Sequence, residues 1–183
     1  MTLVSVKNSD LHGWYPCSGV TFSDKGSGTD IIAEFAVDRA PLCYPGICNT
    51  PPSVDLTIDI FVKQFPATFE EPAIATIAWF VQGGPGGIDH EVSVRPIEGK
   101  ANIYTMNHRG TGRGTRFNCV SAQATTTGSS SSCEIDVFEV AACAQDLEYK
   151  FGDLSSFSMT NATTDIATFI SKFTNGKSTV STV

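Results

Sequence analysis

The sequence predicts an α/β domain with a mainly parallel sheet. Three observations carry that expectation. The runs Val54–Val62, Ile74–Val81 and Ala101–Met106 read as strands. The second and third run straight into glycine clusters. Two stretches with helical spacing follow, and a strand-like Ser-Thr-Val-Ser-Thr-Val lies near Val183.

Composition allows such a domain. The 183 residues are 41% hydrophobic and 17% charged, enough apolar surface for a core and one domain's worth of length. Twelve basic against 19 acidic residues give a net charge of -7, a poor footprint for sequence-independent nucleic-acid binding. The longest apolar run, Ile74 to Val81, is far too short for a membrane-spanning helix. Met1 to Leu11 reads polar, so no secretory leader is expected within these residues.

Taken in order, residues 1–50 are turn-rich, with Ile31 to Val37 as a short strand among them. In the next strand Val54, Leu56, Ile58, Ile60 and Val62 point one way; Asp55, Thr57, Asp59 and Phe61 point the other, giving one polar face. Ile74 to Val81 is apolar on both sides, as a strand covered on both faces would be. Residues 121–133 are small and polar and read as an exposed loop. A helix then places Val137, Val140, Ala141, Ala144, Leu147 and Phe151 on one side, stopped by Gly152. A second begins at about Thr160, with Ala162, Ile166, Ala167, Phe169, Ile170 and Phe173 as its apolar face and Asn175-Gly176 as its close.

Six cysteines, Cys17, Cys43, Cys48, Cys119, Cys133 and Cys143, favour two or three disulfides and an oxidising compartment. The pairing is open, though Cys17, Cys43 and Cys48 form one neighbourhood and the other three another. Their spacing, with His12, His90 and His108 scattered, completes no tetrahedral zinc set. Asp89-His90-Glu91 puts three potential ligands in a row, but adjacent side chains seldom converge on one centre, so no metal is expected. Asn161-Ala162-Thr163 is a glycosylation acceptor pattern.

Two glycine stretches carry the chemistry. Gln82-Gly83-Gly84-Pro85-Gly86-Gly87 follows the most apolar strand, and a glycine loop there can aim backbone N–H groups at an anion or oxyanion. Asn107-His108-Arg109-Gly110-Thr111-Gly112-Arg113-Gly114 follows the next strand, as a phosphate cradle or a solvated turn. A nucleotide site finds little support. Gly176-Lys177-Ser178 has Ser171 where a phosphate-binding loop needs glycine, and it follows a helix; Gly84 to Asp89 lacks the last glycine of a dinucleotide fingerprint.

Together the two stretches resemble the α/β-hydrolase fold serine aminopeptidases, which include proline iminopeptidases and secreted tripeptidyl aminopeptidases. That family has His-Gly-Gly-Pro-Gly after its third core strand and Asp-Gln-Arg-Gly-x-Gly-x-Ser after the next. Here Gln82 stands for the histidine, Asn107 for the aspartate and Gly114 for the serine. Trp14-x-x-Cys17 is similar to the secreted branch, and the helix around Thr164-Asp165-Ile166-Ala167 to the one preceding the nucleophile strand. The resemblance covers most of the chain from about residue 14. It implies an α/β-hydrolase fold in which Gly83 and Gly84 form the oxyanion loop, Pro85 stiffens it, Gln82 and Gly86 support it, and Arg109 ties neighbouring loops together. It also implies serine attack on short peptides or aminoacyl amides, an extracellular location, and neither cofactor nor membrane nor nucleic acid as partner.

No serine has glycine two residues before and two after, the arrangement of a nucleophile elbow. In the family that elbow follows the strand after the Asp165 helix, about where Val183 falls. The resemblance therefore implies the amino-terminal portion of one hydrolase domain over residues 1–183: an N-terminal region to residue 50, then core strands, glycine loops and helices over 54–183. None of the triad is expected on it. The alternative is a non-catalytic binding or regulatory module that retains the first half of the fold.

Overall fold

The computed structural model describes residues 10–19, 32–69, 75–81, 99–120, 136–174 and 178–182. Among these residues six strands are present: β1 (Leu11–Ser18), β2 (Ile32–Pro41), β3 (Thr57–Phe65), β4 (Ile77–Val81), β5 (Asn102–Met106) and β6 (Ser178–Thr182). Two described α-helices, α1 (Val140–Phe151) and α2 (Met159–Phe173), flank a short 3₁₀ turn at Leu154–Phe157.

The strands form one sheet in the order β1-β2-β3-β5-β4-β6. This corrects the expected fold class. The sheet is mixed and not the mainly parallel sheet of an α/β-hydrolase fold: β1/β2, β2/β3 and β3/β5 pair antiparallel, and only β4/β5 and β4/β6 pair parallel. The physical reason lies in the connections. A parallel neighbour needs a crossover of a dozen or more residues, usually helical, and no helical periodicity precedes β4. Residues 42–56 join β2 to β3 without a helix and return the chain antiparallel, closed by the Leu42 amide donating to the Leu56 carbonyl at 2.8 Å. Among the described residues helices arise only after β5, between that strand and β6.

The core lies between the sheet and α2. Ile58, Ile60 and Val62 of β3, Ile77 and Trp79 of β4, and Tyr104 and Met106 of β5 form one face with Phe169. Trp79 stacks on Tyr104 with ring centres 5.1 Å apart and meets Phe169 edge-on at 5.6 Å. Each such ring pair adds about 1 kcal/mol beyond the area it buries. Ala33, Phe65 and Ile103 build a smaller cluster on the opposite face. β3 is thus covered on both sides, and Phe61, expected on a polar face, is buried and stacks on Phe35 at 5.4 Å. Val54 and Leu56 precede the strand, and Leu56 is exposed.

The helices differ in what holds them. α2 begins at Ser158, whose side chain accepts from the Asn161 amide, and buries Asn161, Ala162, Asp165 and Phe169. Ala167, expected on that face, is exposed. α1 buries Cys143 and Leu147, whereas Val137, Val140, Ala141 and Ala144 face outward. The Cys119–Cys143 disulfide sets that orientation, by anchoring Cys143 to the segment after β5.

Candidate functional site

The glycine stretch Gln82, Gly83, Gly84, Pro85 and Gly86, with Asp89-His90-Glu91, lies outside the described residues, as do Cys133 and Gly176-Lys177. Its point of departure is described. β4 ends at Val81, so the stretch leaves from that strand's carboxyl end. β4 is the middle of three parallel strands, flanked by β5 and β6. The chain goes from β4 to β5 on one side, then returns through α1 and α2 to β6 on the other. In open sheets a crevice opens at the carboxyl ends of the strands where successive connections diverge in this way, and ligands bind there.

The turn after β5 is built around Arg109, which is buried. Its Nε donates to Asp165 Oδ2 at 2.8 Å and its Nη2 to Asp165 Oδ1 at 2.6 Å, a two-pronged ion pair with both side chains 1% exposed. Its Nη1 donates to the Leu42 carbonyl at 2.7 Å and to the Ser156 carbonyl at 2.5 Å, and its Nη2 to the Pro41 carbonyl at 3.2 Å. One guanidinium therefore holds the β5 turn, the end of β2, the 3₁₀ turn and α2.

The loop after β2 is drawn into the same cluster. Tyr44 donates its hydroxyl to Asp165 Oδ1 at 2.9 Å and its amide to Asn161 Oδ1 at 3.2 Å. Cys43 and Cys48 close that loop with a disulfide, and the Asn49 amide donates to Asp153 at 3.3 Å. Asn161 has no exposure, and its Nδ2 is within bonding distance of the Ser155 carbonyl, Ser158 Oγ and Cys48 Sγ. This corrects its reading as a glycosylation site. A sugar needs the amide nitrogen at the surface, and here it is enclosed and already bonded.

Packing accounts for glycines of the second stretch. Gly112 has φ +66°, and a Cβ there would run into the Asn107 side chain; one at Gly114 would collide with the Asp59 carbonyl oxygen. Asn107 itself is buried, its amide donating to the Phe61 carbonyl at 3.0 Å. Arg113 lies over the Phe61 ring at 5.2 Å, and Arg116 donates to the Gly112 carbonyl at 3.0 Å. The arginines engage the protein itself, so the described geometry is that of a packed turn and not of a phosphate cradle.

The electrostatics suit a clamp. Burial pushes the Asp165 carboxyl above the usual carboxylate range, and the Arg109 and Tyr44 donors offset part of that. Burial, followed by the neighbouring Asp165 charge, also raises the Tyr44 hydroxyl, which keeps its proton. Asp38 of β2, 5% exposed, is pushed up to about 6, chiefly by burial; Lys172 lowers it, and Asp165 and Asp10 raise it. Both Asp165 oxygens are engaged by the Arg109 and Tyr44 donors. The work of the cluster is positional: it fixes the turn beside the carboxyl end of β4.

Of the expected residues, the structure joins Arg109 with the Cys43–Cys48 loop and Asn161, and pairs Cys119 with Cys143; Cys17 is half-buried on β1. Tyr44, Ser156 and Asp38 escape a reading by sequence, because no periodicity marks a polar side chain that is buried by a loop. A shallow depression on the outer side of α2, lined by Met159, Thr160, Thr163, Thr164 and Ala167, contains no ionisable group. Among the described residues no cluster of three potential metal ligands occurs, and no helix is long and apolar enough to cross a membrane. The two disulfides are compatible with an extracellular, oxidising location. No protein-family model matches the chain, and no curated protein matches it significantly.

Proposed function

We propose that the chain carries the oxyanion loop of a serine hydrolase of the aminopeptidase type, acting on short peptides or aminoacyl amides and secreted from the cell. The observation that carries this reading is that β4, the central parallel strand, ends at Val81, with Gln82-Gly83-Gly84-Pro85-Gly86 next in the sequence and the Arg109-clamped turn following the neighbouring strand β5. In that role the Gly84 amide donates to the oxygen that becomes negative when a nucleophile adds to an acyl carbonyl. Proline after the glycine pair limits the loop's conformations, and Arg109 keeps the adjacent turn from shifting. The nucleophile, its base and its acid are not supplied by these 183 residues, which contain no Gly-x-Ser-x-Gly. That absence favours a second reading, a binding module that uses the same loop amides to hold a small anion or a peptide carboxylate.

The test is a fluorophosphonate probe, which labels activated serines, together with aminoacyl and tripeptidyl chromogenic amides. The 183-residue chain is expected to be unlabelled and inert. A transcript read onward from codon 183 that encodes Gly-x-Ser-x-Gly within a few tens of residues should yield a labelled, active protein. In that protein Gly84→Val should lower kcat by about 100- to 1000-fold, the loss of one oxyanion donor. A stop codon there, or an extended enzyme indifferent to Gly84→Val, would overturn the reading.

A further inference from the structure

The two disulfides sit in contrasting surroundings. Cys119 and Cys143 are 2% and 4% exposed and pack with Leu147. Cys43 and Cys48 are half-buried, and they close a short loop whose tip, Pro45-Gly46, is exposed. Thiol–disulfide exchange requires a thiolate to reach a sulfur, so access decides which bridge reacts. A ring of sequence separation 5 also restrains the unfolded chain less than one of 24. Opening the accessible bridge therefore costs the fold less than opening the enclosed one.

The accessible bridge borders the clamp. Tyr44, next to Cys43 inside the ring, donates its hydroxyl to Asp165 and its amide to Asn161. Arg109 binds the carbonyls of Leu42 and Pro41, the two residues before Cys43, and its guanidinium lies 5.7 Å from the centre of the Tyr44 ring. The Asn161 side-chain amide donates to Cys48 Sγ at 3.4 Å. A donor there steadies negative charge on Cys48, which makes it the better leaving group of the pair.

We infer that Cys43–Cys48 is a redox switch on the Arg109 clamp, opened by a dithiol reductant. The reductant's thiolate attacks Cys43 Sγ, the S–S bond breaks, and Cys48 leaves as a thiolate that takes a proton from solvent. The reductant's second thiolate then attacks its own sulfur in the mixed disulfide and releases Cys43, which is protonated in turn. Two electrons pass to the protein, and the reductant departs as a disulfide. With the ring open, Tyr44 is no longer held against Asp165 and Asn161, and the loop end gripped by Arg109 loosens. Such coupling is reciprocal: whatever weakens the hold of Tyr44 on Asp165 makes the bridge easier to reduce. The inference is independent of the hydrolase reading.

The test is graded dithiothreitol at neutral pH on the whole chain, with thiols trapped by iodoacetamide and located by mass spectrometry. Cys43 and Cys48 should become alkylated together at a reductant level that leaves Cys119 and Cys143 joined. Hydrogen exchange at that level should show the Tyr44 amide losing protection, while the Leu42 amide, bonded to the Leu56 carbonyl, keeps it. Tyr44→Phe keeps the ring and removes only the hydroxyl. It should lower the ratio of reduced to oxidised dithiothreitol at half-opening by about tenfold, the worth of one hydrogen bond to a carboxylate, and leave Cys119–Cys143 unmoved. A Cys43–Cys48 bridge that opens only with or after Cys119–Cys143 overturns the inference. So does a Tyr44 amide equally protected with the bridge open, or a folded Tyr44→Phe chain with an unchanged midpoint.

Discussion

Replacing Arg109 by methionine tests the clamp most directly. The side chain is about the same length, so the change removes charge and donors more than volume. Arg109 makes five hydrogen bonds: two to Asp165 and one each to the carbonyls of Leu42, Ser156 and Pro41. Its loss leaves the Asp165 carboxylate buried with Tyr44 as its remaining side-chain donor. Removing one partner of a buried ion pair costs about 3–5 kcal/mol, a large share of the roughly 5–15 kcal/mol that holds a domain folded. For a chain of this length about 4 kcal/mol lowers Tm by about 8–16 °C. Thermal and urea unfolding by circular dichroism, with both disulfides intact, would measure it. The penalty should shrink towards pH 5, because an unpaired Asp165 is pushed up further and takes a proton in the folded state. Arg109→Met with Asp165→Leu should recover most of the loss, since no buried charge then remains. A single-variant cost below about 1 kcal/mol, the value of an exposed pair, would refute the reasoning.

Asp38 gives a pH signature of opposite sign to the usual carboxylate. Its folded pKa of about 6 lies above its unfolded value, so the folded state binds the proton more tightly and stability falls as pH rises from about 4 to about 6. Asp38→Asn should remove that slope and raise stability at pH 7 by about 1–2 kcal/mol, allowing for screening by Lys172 and nearby water; unfolding curves across this pH range would check it. The disulfides should differ in worth. Cys43–Cys48 closes a loop of sequence separation 5 and Cys119–Cys143 one of 24, so chain entropy assigns about 2 and about 3.5 kcal/mol. Serine variants of each pair, unfolded in urea, should show that order, and loss of the second should also free α1.

The strands and helices around the core were legible where one periodicity ruled. β4, β5 and α2 follow their apolar spacing, β6 its strand-like composition, and Gly152 stops α1 as expected. β1 was not legible: Gly13 and Pro16 argue against a strand, yet an edge strand tolerates both at a bulge. The outward turn of Val140 and Ala144 was hidden because a covalent bridge, and not apolar spacing, orients α1. Asn161 matched a surface motif while serving as an internal crosslink. The mixed sheet was misread because apolar runs identify strands but carry no direction, and direction here follows from the lack of a helix between β2 and β3. The Arg109 cluster shows the same limit: the sequence names its arginine, but only the fold brings Leu42, Ser156 and Asp165 to it.

Those partners also bear on the order of assembly. Arg109 reaches back 67 residues to Leu42 and forward 56 to Asp165. Contacts of such span require loop-closure entropy to be overcome before they contribute, so the guanidinium is expected to seat after the antiparallel strands and α2 have each formed. A latch that closes last would leave the folding rate nearly untouched and act on the rate of escape, so Arg109→Met is expected to speed unfolding far more than it slows folding, which stopped-flow kinetics would read.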